Sequence, residues 1–379
     1  MKITSYQLKK VNPRTNNHTF YMVEFRDPRT GNPTRRRGYT GKREAKHEAI
    51  SLIAKLRETN IYANHKLTFN QVAKRWLDNK KSLVSGSTYC KYNSQYKNHL
   101  IGAFGNKEMV EITIEDCQKL VYQLSDKYKR WDKIVSTFSS VFRYAIKYDI
   151  VSLNPFDRVD RPKIQHDNNP NSFTADQFAT FKRAIKERYE KDNPKAFTVL
   201  WLLSHTGLRK GEALGLKWDD VDLKKGFIHI KRAVTRDYDD HLIEGDKPKN
   251  RYSIRQVPIG KETIQILKKW RVEQCGQLHC LNKKSSTYNG LVFTSQKGGI
   301  LATSKPGKWL NVITRNYNLP HITVHGLRHT YATLLAMNDL SPAKIAKELG
   351  HKDSTITTKI YIDLHDSKSH EASSILEKY

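Results

Sequence analysis

Four short signals that could carry chemistry follow one another in the C-terminal half of the chain. The first is Thr206-Gly207-Leu208-Arg209-Lys210-Gly211-Glu212, where an apolar helix through Val199–Leu203 stops at Gly207 and Arg209 enters the next helix. Taken singly, a glycine helix stop followed by arginine is common. The second, Lys247-Pro248-Lys249-Asn250-Arg251, is a basic hairpin tip ahead of Ile254-Arg255-Gln256-Val257-Pro258, and alone it reads as a solvated turn. The third, His325-Gly326-Leu327-Arg328-His329, opens an amphipathic helix through Tyr331, Leu334 and Leu335. His325 and Arg328 are three apart and share a helical face. A histidine proton carrier beside an anion-binding arginine suits phosphoryl chemistry. In the fourth, Ser341 and Pro342 start a helix as N-cap and N1, Gly350 ends it, and His351 follows. Tyr361 lies within the next helix, a position where a lone tyrosine is ordinarily core or interface.

The ordered set TGLRKGE, PKN…IRQVPI, HGLRH, LGH and Tyr361 resembles the tyrosine recombinases, specifically the integrases of temperate phages and conjugative elements. The likeness spans residues 173–379 and overrides the ordinary reading of each signal. It implies that Tyr361 attacks a DNA phosphate, forming a 3′-phosphotyrosyl link and releasing a 5′-hydroxyl. Arg209 and Arg328 would hold the non-bridging oxygens, a task suited to a planar, permanently charged fork. His325 would assist the phenol, whose ordinary pKa near 10 demands help at neutral pH, and His351 would support the phosphate. Lys249 would protonate the leaving oxygen, with Lys247 on the same turn as the alternative; Arg251 is a poor proton donor.

Elements that must position these groups can be read from patterning. Residues 1–65 hold 14 Lys/Arg against 5 Asp/Glu, the densest positive charge in the chain. Strand-like stretches at Tyr6–Leu8, Phe20–Phe25 and Arg35–Tyr39 precede a helix over Lys42–Arg57, predicting a three-stranded sheet backed by one helix. Arg35, Arg36 and Arg37 then lie on or beside a strand as candidate DNA contacts, although charges on an edge strand also discourage aggregation. Residues 66–162, with 17 basic and 10 acidic residues, read as all-helical. Thr68 to Gln71 fits a capping box ahead of Phe69, Val72, Ala73, Trp76 and Leu77 on one face. A later helix carries Ile134, Phe138, Val141, Phe142, Ala145 and Ile146, and Asn154–Pro155 is expected to end it. Polar residues 163–172 read as a linker. The domain over 173–379 is mainly helical, with strands at Phe227–Ile230 and Ser253–Ile259 and a strand pair near Leu291–Phe293 and Ile300–Leu301. The fold class expected is thus multidomain α+β. By resemblance its parts are an arm-type DNA-binding domain, a helical core-binding domain and a catalytic domain.

A formal charge of +29 from 67 Lys/Arg and 38 Asp/Glu calls for a polyanionic partner, nucleic acid first and a membrane surface second. No apolar run approaches membrane-spanning length and no signal-peptide core is present, so a soluble, intracellular protein is expected; the resemblance implies a bacterial cytoplasm and association with the nucleoid. Cys90, Cys117, Cys275 and Cys280 are too scattered for a disulfide framework, and Cys275–His279–Cys280 lacks a second ligand pair at zinc spacing. No carboxylate constellation for paired Mg²⁺ and no P-loop stands out, so no metal or cofactor is expected. The resemblance implies core-type and arm-type attachment sites in double-stranded DNA, a homotetramer on that DNA, and DNA-bending and excision partners. The helix expected over Glu371–Tyr379 would pack on its own domain or on a neighbouring protomer. A type IB topoisomerase or Xer-like resolvase does not need the basic N-terminal unit. A non-catalytic regulator does not need the set Arg209, Lys249, His325, Arg328, His351 and Tyr361.

Overall fold

The computed structural model describes residues 1–14, 16–27, 33–64, 67–164, 171–245, 254–280, 290–350 and 358. The chain divides into two units, Met1–His166 and Asp167–Tyr379.

The first unit begins with β1 (Lys2–Asn12), β2 (Asn17–Arg26) and β3 (Pro33–Tyr39), antiparallel in the order β1-β2-β3. α1 (Lys42–Asn64) follows. All four elements extend past the apolar stretches that announced them. Side chains alternate across a strand, so pairing assigns each to a face. Ile3, Val23 and Arg36 form one cross-strand row, and Lys2, Glu24 and Arg35 form the neighbouring row on the other face. Val23 and Phe25 pack with Ala49 of α1, supported by Leu52, Ile53 and Leu56, so the row containing Arg36 lies on the helix side. Arg35 and Arg37 share the opposite face with Lys2 and Met22. All three arginines are exposed, and Arg35 lies 3.4 Å from Glu24.

The helical remainder comprises α2 (Phe69–Lys81), α3 (Gly86–Gln95), α4 (Ile101–Phe104), α5 (Ile114–Lys127) and α6 (Trp131–Lys147). Thr68 and Gln71 form the expected capping box, and the five apolar residues assigned to α2's inner face are buried. Phe69 meets Phe104 edge-on at 5.3 Å and Phe138 at 5.6 Å. Such aromatic pairs add about 0.5–1.5 kcal/mol beyond the area they bury. α6 buries Ile134, Phe138, Val141, Phe142 and Ala145, but Ile146 is only half-buried. This helix stops at Lys147, not at Asn154: the chain turns through Asp149 at φ 53°. Asn154 instead caps a 3₁₀ turn over Pro155–Asp157, accepting from the Phe156 N–H.

In the second unit α7 (Ala175–Tyr189) and α8 (Pro194–Thr206) lead into the short α9 (Lys210–Leu214). The β-part contains β4 (Val221–Asp222), β5 (Phe227–Ile230), β6 (Ala233–Arg236), β7 (Leu242–Gly245) and β8 (Arg255–Pro258). α10 (Lys261–Cys280), α11 (Lys305–Asn316), α12 (Val324–Met337) and α13 (Pro342–Leu349) complete the described elements. α8 is buried almost all round, from Ala196 to Thr206, and α7, α10, α11 and α12 pack on it. β4-β5-β8 form one antiparallel sheet and β6-β7 a separate ribbon. The expected strand pair near 291 and 300 reduces to isolated bridges, Leu291 to Lys217 and Thr294 to Ile300. Side chains take the backbone groups a strand partner would use. Trp270 Nε1 donates to the Val292 carbonyl at 2.7 Å and Gln274 Nε2 to that of Leu291 at 2.9 Å.

The segment expected to be linker does not stay free up to residue 172. Asn171 accepts from the Thr323 N–H at 2.8 Å, and the Phe173 N–H donates to Thr330 Oγ1 at 2.9 Å. Residues 171–173 therefore run along the first turns of α12. Among the described residues no helix is long and apolar enough to cross a membrane, and no cluster of three or more His, Cys, Asp or Glu could hold a metal ion.

Candidate phosphate-binding site

Four helix ends converge in the second unit. α8 ends at Gly207, whose φ of 60° is left-handed, and two residues later Arg209 stands as N-cap of α9. A Cβ on Gly207 would lie 2.6 Å from Leu349 Cδ2 and 2.7 Å from Tyr331 Cδ1, so this turn sits directly against α12 and α13. α13 ends at Gly350, again left-handed at φ 66°. α12 begins after Thr323, which caps the Gly326 N–H, and delivers His325 and Arg328 from its first turns.

Arg209 and Arg328, expected to act together from distant stretches of sequence, do meet. Arg328 Nη1 donates to the Gly207 carbonyl at 2.8 Å and Nη2 to the Leu349 carbonyl at 2.6 Å. Arg209 Nη2 donates to the next carbonyl, Gly350, at 3.1 Å. The unsatisfied carbonyls at a helix C-terminus carry partial negative charge, which holds cations there. Arg328 is only 2% exposed, yet its Nε–H is buried with no hydrogen-bond partner among the described residues. Burial and the neighbouring Arg209 depress its pKa to about 9, so it remains charged at neutral pH. Arg209 keeps 38% of its side chain exposed. The pair thus presents one anchored and one accessible guanidinium, an anion-binding arrangement.

His325, in the same cluster, meets His329 edge-on at 4.8 Å. Its pKa falls to about 4, through desolvation and then the charges of His329, Arg328 and Arg209. At neutral pH it is therefore uncharged and able to accept a proton.

Two further residues inside the quoted motifs, Glu212 and Arg255, complete the cluster, and no sequence expectation covers them. Glu212 is buried and accepts from the Arg209 N–H and from Arg209 Nη1, both at 2.9 Å. Arg255 of β8 donates to both oxygens of the same carboxylate, at 3.2 and 2.9 Å. Burial alone would raise the Glu212 pKa, but the hydrogen bonds and charge of Arg255, with those of Arg209, outweigh it and hold the carboxyl below its usual range. A glutamate three residues after an arginine is a sequence signal for a capping carboxylate. Nothing local marks its partner 43 positions on. Lys249, Lys247, His351 and Tyr361 lie outside the described residues, as does the tail over Glu371–Tyr379. A cavity of about 1170 Å³ lies between α10 and α11, lined among others by Lys195, Leu301, Lys305 and Trp309, but it includes none of the arginine cluster.

Comparison with known proteins accords with this geometry. The Phage integrase family model matches residues 171–368, and the model "Phage integrase, N-terminal SAM-like domain" matches 68–125. The chain is 30% identical over 299 residues to a protein described as "Tyrosine recombinase XerC-like" from Caldanaerobacter subterraneus subsp. tengcongensis, covering 73% of each. It is 25% identical to the ICEBs1 integrase of Bacillus subtilis over 93% of this chain and 94% of that one. Among solved structures, the Tn1549 transposon integrase in complex with a circular intermediate DNA superposes with a TM-score of 0.64 at 20% identity, over 81% of this chain and 99% of that one. A lambda integrase from a tetramer bound to a Holliday junction gives 0.58 at 18% identity, over 90% and 92%. These two likenesses concern the fold. The chain belongs to the phage integrase family, the tyrosine-type site-specific recombinases of mobile elements.

Proposed function

We propose that this chain cuts and rejoins attachment-site DNA with Tyr361 as nucleophile, integrating and excising the element that encodes it. The observation carrying this reading is the convergence of Arg209 and Arg328 on the carbonyls of Leu349 and Gly350, immediately before His351. The phenol attacks phosphorus, the 5′-oxygen leaves with a proton from Lys249 or Lys247, and a 3′-phosphotyrosine remains. Attack by a 5′-hydroxyl reverses the step, so the phosphodiester bond energy is conserved without a nucleotide cofactor. Arg209 and Arg328 bind the non-bridging oxygens as negative charge grows on them. His325, neutral at physiological pH, takes the phenolic proton, and His351 adds a hydrogen bond to the phosphate.

The sheet of residues 1–65 reads as the arm-binding part, with Arg35, Arg36 and Arg37 near the backbone. Residues 66–162 read as the core-binding part and 173–379 as the catalytic part, joined through 163–172. A homotetramer on paired core sites, assisted by DNA-bending and excision proteins in the bacterial cytoplasm, is the assembly this reading implies. The test is trapping. The full chain is incubated with a nicked suicide duplex carrying the end sequence of its own element, then denatured in SDS. A covalent adduct is expected with wild type and none with Tyr361→Phe. No adduct with wild type would leave a DNA-binding regulator as the better account, and an adduct surviving Tyr361→Phe would remove the nucleophile assignment.

A further inference from the structure

The last carbonyls of α13 are held in an unusual way. Arg255 Nε donates to Glu348 O at 2.8 Å, Arg328 Nη2 to Leu349 O at 2.6 Å, and Arg209 Nη2 to Gly350 O at 3.1 Å. Three successive carbonyls thus receive three guanidiniums from β8, α12 and the start of α9. Arg255 also joins this helix end to the carboxylate that holds Arg209. Its two Nη groups grip both oxygens of Glu212, which in turn holds Arg209 through its backbone N–H and its Nη1. The Arg255 and Glu212 side chains are 7% and 5% exposed, so this bridge is screened little by solvent. Glu348 is further fixed through Tyr331, whose hydroxyl donates to its Oε2 at 3.0 Å.

We propose that Arg255 is a positioning residue for strand cleavage. It sets the direction of the Arg209 guanidinium through Glu212 and, through Glu348 O, fixes the end of α13 from which the chain runs on to His351 and Tyr361. The inference rests on the reading that Arg209 binds the scissile phosphate. The same side chain ties the start of β8, two residues past Ser253 in sequence, to the phosphate clamp. A guanidinium is required for this. One planar fork spans a carboxylate while its Nε reaches a third acceptor, whereas an ammonium offers a single point of donation. Each guanidinium nitrogen of Arg255 is engaged by Glu212 or by the α13 end, so its influence acts through Arg209 and that helix end.

The experiment measures single-turnover adduct formation on the nicked suicide duplex, alongside duplex affinity and thermal midpoint, for the full chain. Arg255→Gln is expected to slow adduct formation by about 10²-fold, the scale on which small misplacement of reacting groups acts. Duplex affinity should stay within about threefold of wild type, since phosphate contacts elsewhere carry binding. Arg255→Lys restores the buried charge without the fork, so it should recover the thermal midpoint yet remain roughly tenfold or more slower than wild type. In the Arg209→Lys background, Arg255→Gln should cost less than about threefold further, because side chains acting in one network are non-additive. If Arg255→Gln does not fold, the neutral pair Glu212→Gln/Arg255→Gln replaces it in every comparison. Full cleavage by Arg255→Lys, or losses that simply multiply with those of Arg209→Lys, would reduce Arg255 to a fold-stabilising charge. That outcome is separable from failure of the underlying mechanism, which would appear as absence of adduct in wild type or its persistence in Tyr361→Phe.

Discussion

Arg328 is buried and charged, and it lacks one hydrogen-bond partner among the described residues. Its fork spans two carbonyls from different helices, Gly207 and Leu349, so the side chain is fixed before any anion arrives. Preorganised donors of this kind stabilise developing charge with little reorganisation. Arg328→Lys is therefore expected to lower single-turnover cleavage by about 10³-fold or more, the scale on which arginines act in phosphoryl transfer. Duplex affinity should change only a few-fold, and a cleavage loss below tenfold would show that charge alone suffices. His325 supplies a second residue-scale test. Its folded pKa of about 4 lies below the ordinary value of 6.5, so the unfolded chain binds more protons between those pH values. Stability should then rise with pH across that window and be lost as pH falls through it. His325→Asn should flatten part of the fall in thermal midpoint between pH 6.5 and 4. In an NMR titration of the free chain the His325 ring should stay neutral down to about pH 4, and a bound duplex, by adding negative charge, should move its titration upward. A His325 titration near 6.5 in the free chain would show that neither the burial nor the neighbouring charges described here act on the ring in solution.

At the scale of elements, the site depends on helix ends more than on helices. The α8 stop and the start and stop of α13 were legible in sequence because glycine at a helix end and proline at its first position are local signals. So were the capping box of α2 and the buried faces of α2 and α6. The β6-β7 ribbon was not legible: each strand is four residues long, and what fixes it is tertiary. It lies against α9, where a Cβ on Gly211 would come within 2.9 Å of the Val234 carbonyl. The Arg255–Glu212 contact was equally hidden, because both residue types are ordinary on a surface and only packing shows that they are inside. Gly207 tests the dependence on helix ends. Alanine there meets both a left-handed backbone and the Leu349 and Tyr331 side chains, so Gly207→Ala should cost on the order of 2 kcal/mol or more in denaturant unfolding. Adduct formation should fall with it, since relief of the clash moves the α13 end. Gly276→Ala in α10, where nothing lies within 4 Å, should instead gain up to about 1 kcal/mol. Equal stabilities for the two variants would mean that the Gly207 turn is not packed as described.

Over the whole molecule, a charge of +29 sets how DNA binding responds to salt. Each phosphate neutralised contributes about −0.9 to the slope of log affinity against log salt, so the slope counts contacts irrespective of sequence read. The N-terminal sheet lets that count be assigned to a face. Arg35 and Arg37 project from the side of the sheet opposite α1, while Arg36 belongs to the row on the helix side. If the sheet meets arm-type DNA with its uncovered face, Arg35→Ala/Arg37→Ala should make the slope shallower by about 2, and Arg36→Ala by well under 1. The rate of adduct formation at saturating core-site duplex should be unchanged in both variants, because neither alters the Arg209–Arg328 cluster. A sheet acting only as diffuse positive charge would show the three arginines contributing alike. The face-specific pattern requires the strand register described here, in which Gly38, at φ 101°, stands between the Tyr21–Tyr39 and Met22–Arg37 pairs and shifts Arg37 onto the open side.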